Sequence, residues 1–157
     1  TILGTTGNGP VYIVADSLGN IYTSNELDHN ITKITPAGVS TTYASGLNNG
    51  LAMTIDSSNN LYVAEISTGR IYKVTGPGIS YILGTTGGNP FSICLDSAEN
   101  VYAANLDLNN VVKITQAGAS SVVGTPGGGT APYGVVSKYG YVFTANSSSN
   151  NVSRIVI

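Results

Sequence analysis

Short runs of alternating apolar and polar residues fill the chain, broken at close intervals by Gly, Asn, Asp and Pro, and no stretch shows the 3.6-residue period of an amphipathic helix. In the first unit this pattern predicts strands over 11–15, 21–24, 31–35 and 39–44, rich in Val, Ile, Thr and Tyr. The polar links between them, DSLGN and TPAG, hold residues that cap tight turns with their own side chains or tolerate left-handed backbone.

The pattern then repeats. Asp16, Asp56 and Asp96 are spaced by 40 residues and open the phrases DSLGNIYTSN, DSSNNLYVAE and DSAENVYAAN. The fourth phrase, SKYGYVFTAN, is divergent, with Ser137 in the Asp place at a spacing of 41. Lys33, Lys73, Lys113 and Arg154 follow in ITKIT, IYKVT, VVKIT and VSRIV, so the register holds through every unit. Four short strands per repeat of about forty residues is the signature of a propeller blade. The expected fold is all-β: one domain over 1–157, made of four four-stranded blades. Tyr22, Tyr62, Tyr102 and Phe143, each followed two residues later by Ser24, Ala64, Ala104 or Ala145, put a large and a small side chain on one face, which suits blade-on-blade packing.

The phrase P-x-x-I-x-x-DSxGNxYxxN, followed by NxIxKIT and a Gly-rich link, resembles the NHL and YVTN-type propeller repeats over essentially the whole chain. That resemblance implies the fold. It transfers little function, because such propellers include enzymes, ligand-binding proteins, surface proteins and assembly scaffolds.

Ring closure is the open structural question. TILGTTG at 1–7 matches YILGTTG at 81–87, so the chain begins on the last strand of a blade, and NVSRIVI ends on a third strand. The expectation is that Ile2 and Leu3 supply the missing strand of the last blade beside Val152 and Ile155. Closure within the molecule is preferred on grounds of size; a neighbouring copy supplying the strand would give an eight-bladed dimer or a filament.

Composition narrows function by exclusion. With 41% hydrophobic but only 9% charged residues, solubility rests on Ser, Thr, Asn and Gly. A net charge of −2 and six basic residues exclude a surface that neutralises several phosphates, so nucleic acid is not an expected partner. No apolar run is long enough for a membrane span, and 1–10 lacks the features of a signal peptide. An extracellular or cell-surface location is expected, with three N-glycosylation sequons at Asn30, Asn146 and Asn151. Cys94, within FSICLD, reads as a small buried hydrophobe.

One column invites chemistry. Asn25, Glu65, Asn105 and Asn146 end the second strand of each repeat, and a closed ring would gather these oxygen donors toward one rim or the channel. Together they offer four of the roughly six to eight oxygen ligands that calcium takes. The set resembles gluconolactonase and paraoxonase propellers in residue type and blade origin, which implies a lactonase- or esterase-like hydrolase around a central divalent cation. The alternative assignment is that each residue caps its own turn. Asp16, Asp56 and Asp96 are likewise assigned to turns, the Lys/Arg column to salt bridges or a solvated face, His29 to a loop, and the glycines at 127–129 to a link. No catalytic motif appears. The leading expectation is therefore a non-enzymatic scaffold or binding module without a cofactor, which meets a protein, a glycan or further copies of itself at its rim loops. Tyr43, Tyr81, Tyr133 and Tyr139 are the candidates for stacking on sugar.

Overall fold

In the computed structural model, which describes residues 1–127 and 131–157, every regular element is a β-strand. The strands form four antiparallel sheets in chain order. The first contains β1 (Pro10–Ala15), β2 (Ile21–Asn25), β3 (Asn30–Ile34) and β4 (Ser40–Ser45), each paired with the next. The second contains β5 (Gly50–Ile55), β6 (Leu61–Glu65), β7 (Arg70–Gly76) and β8 (Ile79–Thr85). The third contains β9 (Pro90–Leu95), β10 (Val101–Asn105), β11 (Asn110–Ile114) and β12 (Ser120–Gly124). The fourth stops at three strands, β13 (Pro132–Lys138), β14 (Tyr141–Asn146) and β15 (Asn151–Val156). Residues 128 and 129 of the glycine link lie outside the described residues. No described helix is long and apolar enough to cross a membrane.

The sheets stack face to face, and the core is divided into layers between them. Tyr22, Ile31 and Tyr43 of the first sheet meet Met53, Leu61, Val63 and Val74 of the second. Tyr62, Ile71 and Leu83 of the second then meet Ile93, Val101, Val112 and Ile114 of the third. Between the third and fourth sheets lie Tyr102, Val111 and Val142, with Cys94 and Ile155 at the margin. Because both faces of the middle sheets are covered, β6 and β10 are buried from end to end. The first strands pack in succession, β1 on β5, β5 on β9 and β9 on β13, so the sheets radiate from one converging edge.

One sequence expectation is corrected. Ser137 is not the counterpart of the aspartates: it lies in β13 opposite Val142, and Lys138 pairs with Tyr141 across a two-residue turn. Tyr139 and Gly140 both have positive φ, 53° and 76°, the mirror-image turn whose twist suits a tight hairpin. The DSxxN turn is therefore replaced by a shorter one, and Lys138 takes the column of Asp96.

The pairing of residues 2 and 3 with the fourth sheet is not formed among the described residues. Among the described residues the fourth sheet has three strands, and residues 1–7 form no strand. Instead they lie on the first sheet. Thr5 N–H donates to Ser40 Oγ at 3.1 Å and Gly7 N–H to Thr32 Oγ1 at 3.1 Å. Ile2 remains 87% exposed, and Val152 on β15 is 71% exposed. The successive packing of first strands runs from β1 through β5 and β9 to β13.

Candidate functional site

Each of the first three sheets carries the same polar unit at its β-hairpin rim. In the third, Asp96 Oδ1 accepts from the N–H groups of Ala98 and Asn100, while Oδ2 accepts from the Asn100 amide at 2.9 Å and the Tyr102 hydroxyl at 3.1 Å. Asp16 and Asp56 make the corresponding bonds with Leu18, Asn20 and Tyr22, and with Ser58, Asn60 and Tyr62. Burial opposes ionisation of these carboxyls, but the converging donors outweigh it and hold all three below the ordinary carboxylate range. The lysine column sits above the tyrosine rings: Lys33, Lys73 and Lys113 ammonium groups lie 5.6, 4.9 and 5.6 Å from the centres of Tyr22, Tyr62 and Tyr102. Lys73 also reaches Asp56 at 3.7 Å.

What differs between units is how the next sheet closes over this group. Between the second and third sheets, Gln116 Oε1 accepts from Lys73 Nζ at 2.8 Å and lies 3.1 Å from the Tyr62 hydroxyl. The Gln116 amide donates in turn to the carbonyl of Glu99, whose carboxylate accepts from Ser57 at 2.7 Å. Between the third and fourth sheets, the place of Gln116, three residues after the basic residue of its sheet, belongs to Ile157. Here a cavity of about 750 Å³ opens, lined by Asp96, Tyr102, Lys113, Lys138, Tyr139 and Ile157 among others. Sequence reading passed over Gln116 and Lys138. Their signal was departure from the repeat, Gln where TPAG has Pro36 and Lys where three units have Asp.

The Asn/Glu column is engaged locally. All four side chains are buried, each at the end of a different sheet's second strand. Asn25 donates to Asn30 Oδ1 and Thr32 Oγ1, and Asn146 to Asn151 Oδ1 and Ser153 Oγ. Asn105 donates to Asn110 Oδ1 and the Thr86 carbonyl. Glu65 accepts from the Thr68 hydroxyl and faces Arg70 at 4.0 Å. No hydrogen bond joins any two of the four among the described residues. The described residues also hold no group of three or more His, Cys, Asp or Glu side chains arranged for a metal ion.

Of the tyrosines proposed for sugar, Tyr43 is buried edge-on against Tyr22, whereas Tyr81, Tyr133 and Tyr139 are exposed. His29 is exposed with a φ of 51° in the turn after β2. Burial pushes the Cys94 thiol up to about 12, well away from a thiolate at neutral pH.

The first and fourth sheets carry the closure residues. The Leu3 carbonyl lies against Gly38, where a Cβ would meet it at 2.6 Å, as the Leu83 carbonyl of β8 lies against Gly118 at 2.7 Å. A Cβ on Gly4 would meet Ile34 at 2.6 Å, as one on Gly84 would meet Ile114 at 2.7 Å and one on Gly124 would meet Ile155 at 2.9 Å. Residues 2–4 thus pack on the first sheet as the last strand of a preceding sheet packs on its successor. Ile155 faces β12 rather than the segment around Ile2 and Leu3.

This architecture is that of solved β-propellers. The chain superposes on a streptogramin B lyase structure with a TM-score of 0.79 at 18% identity, covering 96% of this chain and 55% of that one. A nidogen/laminin complex matches with a TM-score of 0.73 at 16% identity, over 86% of this chain and 54% of that one. The computationally designed Ika4 protein matches at 0.73 and 10% identity, over 100% and 98% of the two chains. The chain therefore spans about half the length of the lyase and nidogen/laminin structures. No protein-family profile matches the sequence, and no curated protein does. The expectation that the chain is not an enzyme is corrected by these likenesses, since the structures that share its fold include a lyase. Repetition without a reactive motif does not exclude catalysis on this fold.

Proposed function

We propose that the chain is a half-ring propeller module that completes itself with a second copy, and that the finished eight-sheet ring presents the binding surface. The observation that carries this reading is a contrast between equivalent positions. Val111 on the covered face of the third sheet is 0% exposed, and its counterpart Val152 on the fourth is 71% exposed. Met53 and Ile93 are 1% and 4% exposed, and their counterpart Ile13 on the first sheet is 63% exposed. The first and fourth sheets thus present the two halves of an interface that the chain already forms three times internally.

The N-terminal segment favours the same partner. It rests on the first sheet as the last strand of a preceding sheet rests on its successor, and among the described residues β15 is paired along one edge only. A second copy related by a two-fold axis supplies both that preceding sheet and a strand beside β15, and the two junctions close. In that assembly any rim or channel site draws residues from both copies, whether it binds a protein, as the nidogen/laminin likeness suggests, or carries out chemistry, as the lyase likeness suggests.

Sedimentation equilibrium tests the pairing. The expected result is a particle of twice the 16.0 kDa chain mass, reduced to a folded monomer by Val152→Asp or Ile13→Asp, both at exposed positions of the single chain. A wild-type chain that stays monomeric across concentration, or a dimer that neither substitution weakens, contradicts it.

A further inference from the structure

We infer that the cleft between the third and fourth sheets is a binding site for a carboxylate-bearing small molecule, with the ligand oxygen held by the Lys113 ammonium above the Tyr102 ring. The chain contains its own template for this contact. In the preceding cleft, a side-chain oxygen from the next sheet, Gln116 Oε1, occupies the point reached by both Lys73 Nζ and the Tyr62 hydroxyl. The third sheet repeats the tyrosine, the turn aspartate and the lysine, with Tyr102 bonded to Asp96 at 3.1 Å and Lys113 poised over the Tyr102 ring, but without the ion pair that Lys73 makes with Asp56. The oxygen differs too, because Ile157 stands where Gln116 does. Among the described residues the Lys113 ammonium has no hydrogen bond or ion pair, unlike Lys73.

Charge selects the ligand class. Lys138 replaces the turn aspartate in the fourth sheet and lines the same cavity, so two ammonium groups face one carboxylate. That carboxylate, Asp96, already accepts four hydrogen bonds within its own turn. An entering carboxylate therefore meets the ammonium groups of Lys113 and Lys138, and charge-assisted bonds favour it over a neutral amide. The exposed Tyr139 at the mouth, below Lys138 at 5.1 Å, supplies an apolar wall for the ligand's carbon chain. The cavity opens at the hairpin rim, so the site does not depend on the pairing of copies.

The probe is glutarate, titrated into the ¹⁵N-labelled chain at constant ionic strength, with glutaramide and chloride as comparisons. Saturable shifts are expected at the amides of Ala98, Lys113, Tyr139 and Gly140. Lys113→Gln should weaken the apparent affinity about tenfold, as befits loss of a charge-assisted contact. Ile157→Gln, which restores the internal amide at a residue 39% exposed, should do the same while leaving the fold intact. The inference is overturned if glutarate gives no saturable shift, if glutaramide or chloride reproduces it, or if both variants bind as the wild type does.

Discussion

At the residue scale, the periodic aspartates are structural anchors whose strength varies with burial. Asp56 is 6% exposed and gathers two backbone N–H groups, the Asn60 amide, the Tyr62 hydroxyl and the Lys73 ammonium. Asp56→Ala leaves these donors buried without an acceptor and should cost roughly 2–3 kcal/mol by chemical denaturation. The sign of the pH dependence follows from the depressed carboxyls. With folded pKa values below the unfolded ones, their stabilisation is present at neutral pH and is lost as pH falls below roughly 4 toward the folded values. Thermal midpoints should fall over that acid window in the wild type and fall less in Asp56→Ala; equal slopes would refute the assignment. These roles were legible in the sequence because Asp before a tight turn has one dominant use. Gln116 was not, because what it contacts is a lysine and a tyrosine 43 and 54 residues away, on another sheet.

At the element scale, the strands of the first repeat fall within about one residue of where alternation places them, since the period-2 pattern and the turn residues agree. The fourth hairpin is where the reading slipped. Aligning SKYG with DSAEN by a single insertion put Ser137 under Asp96, whereas the Tyr139–Gly140 turn shortens the loop and extends β13 to Lys138. Pairing register, rather than residue identity, decides that alignment. Element contacts also single out particular glycines. Gly118 and Gly78 both have left-handed backbone, with φ of 84° and 70°, but only a Cβ on Gly118 meets a neighbour, the Leu83 carbonyl at 2.7 Å. Gly118→Ala should therefore lower stability by about 1 kcal/mol more than Gly78→Ala, because it adds an inter-sheet clash to the same backbone cost. Matched thermal melts of the two variants check this, and equal losses would show that the sheets do not interlock there.

At the scale of the whole molecule, the likeness of TILGTTG to the strand at 81–87 could be read from the sequence, but the sheet that receives it could not. Sequence identity between 2–7 and 82–87 says which kind of strand the segment is. It does not say which sheet receives its edge, because packing on a following sheet and pairing with a preceding one are separate contacts. The structure holds the first, through Leu3 on Gly38 and Gly4 on Ile34, and leaves the second unmade. Ile13 on the first sheet and Val152 and Val156 on the fourth are exposed, which is what the proposed pairing of two copies would cover. The metal-binding expectation for Asn25, Glu65, Asn105 and Asn146 depends on convergence around a closed channel; each of these side chains bonds within its own sheet or to the adjoining link, while Asn105 Oδ1 and Asn146 Oδ1 have no hydrogen-bond partner among the described residues. The most direct measurement is an image of the particle in solution by electron microscopy. A closed ring of eight sheets, with residues 2–7 of each copy paired to β15 of the other, is the predicted result; an isolated four-sheet particle, open or closed on itself, would contradict it.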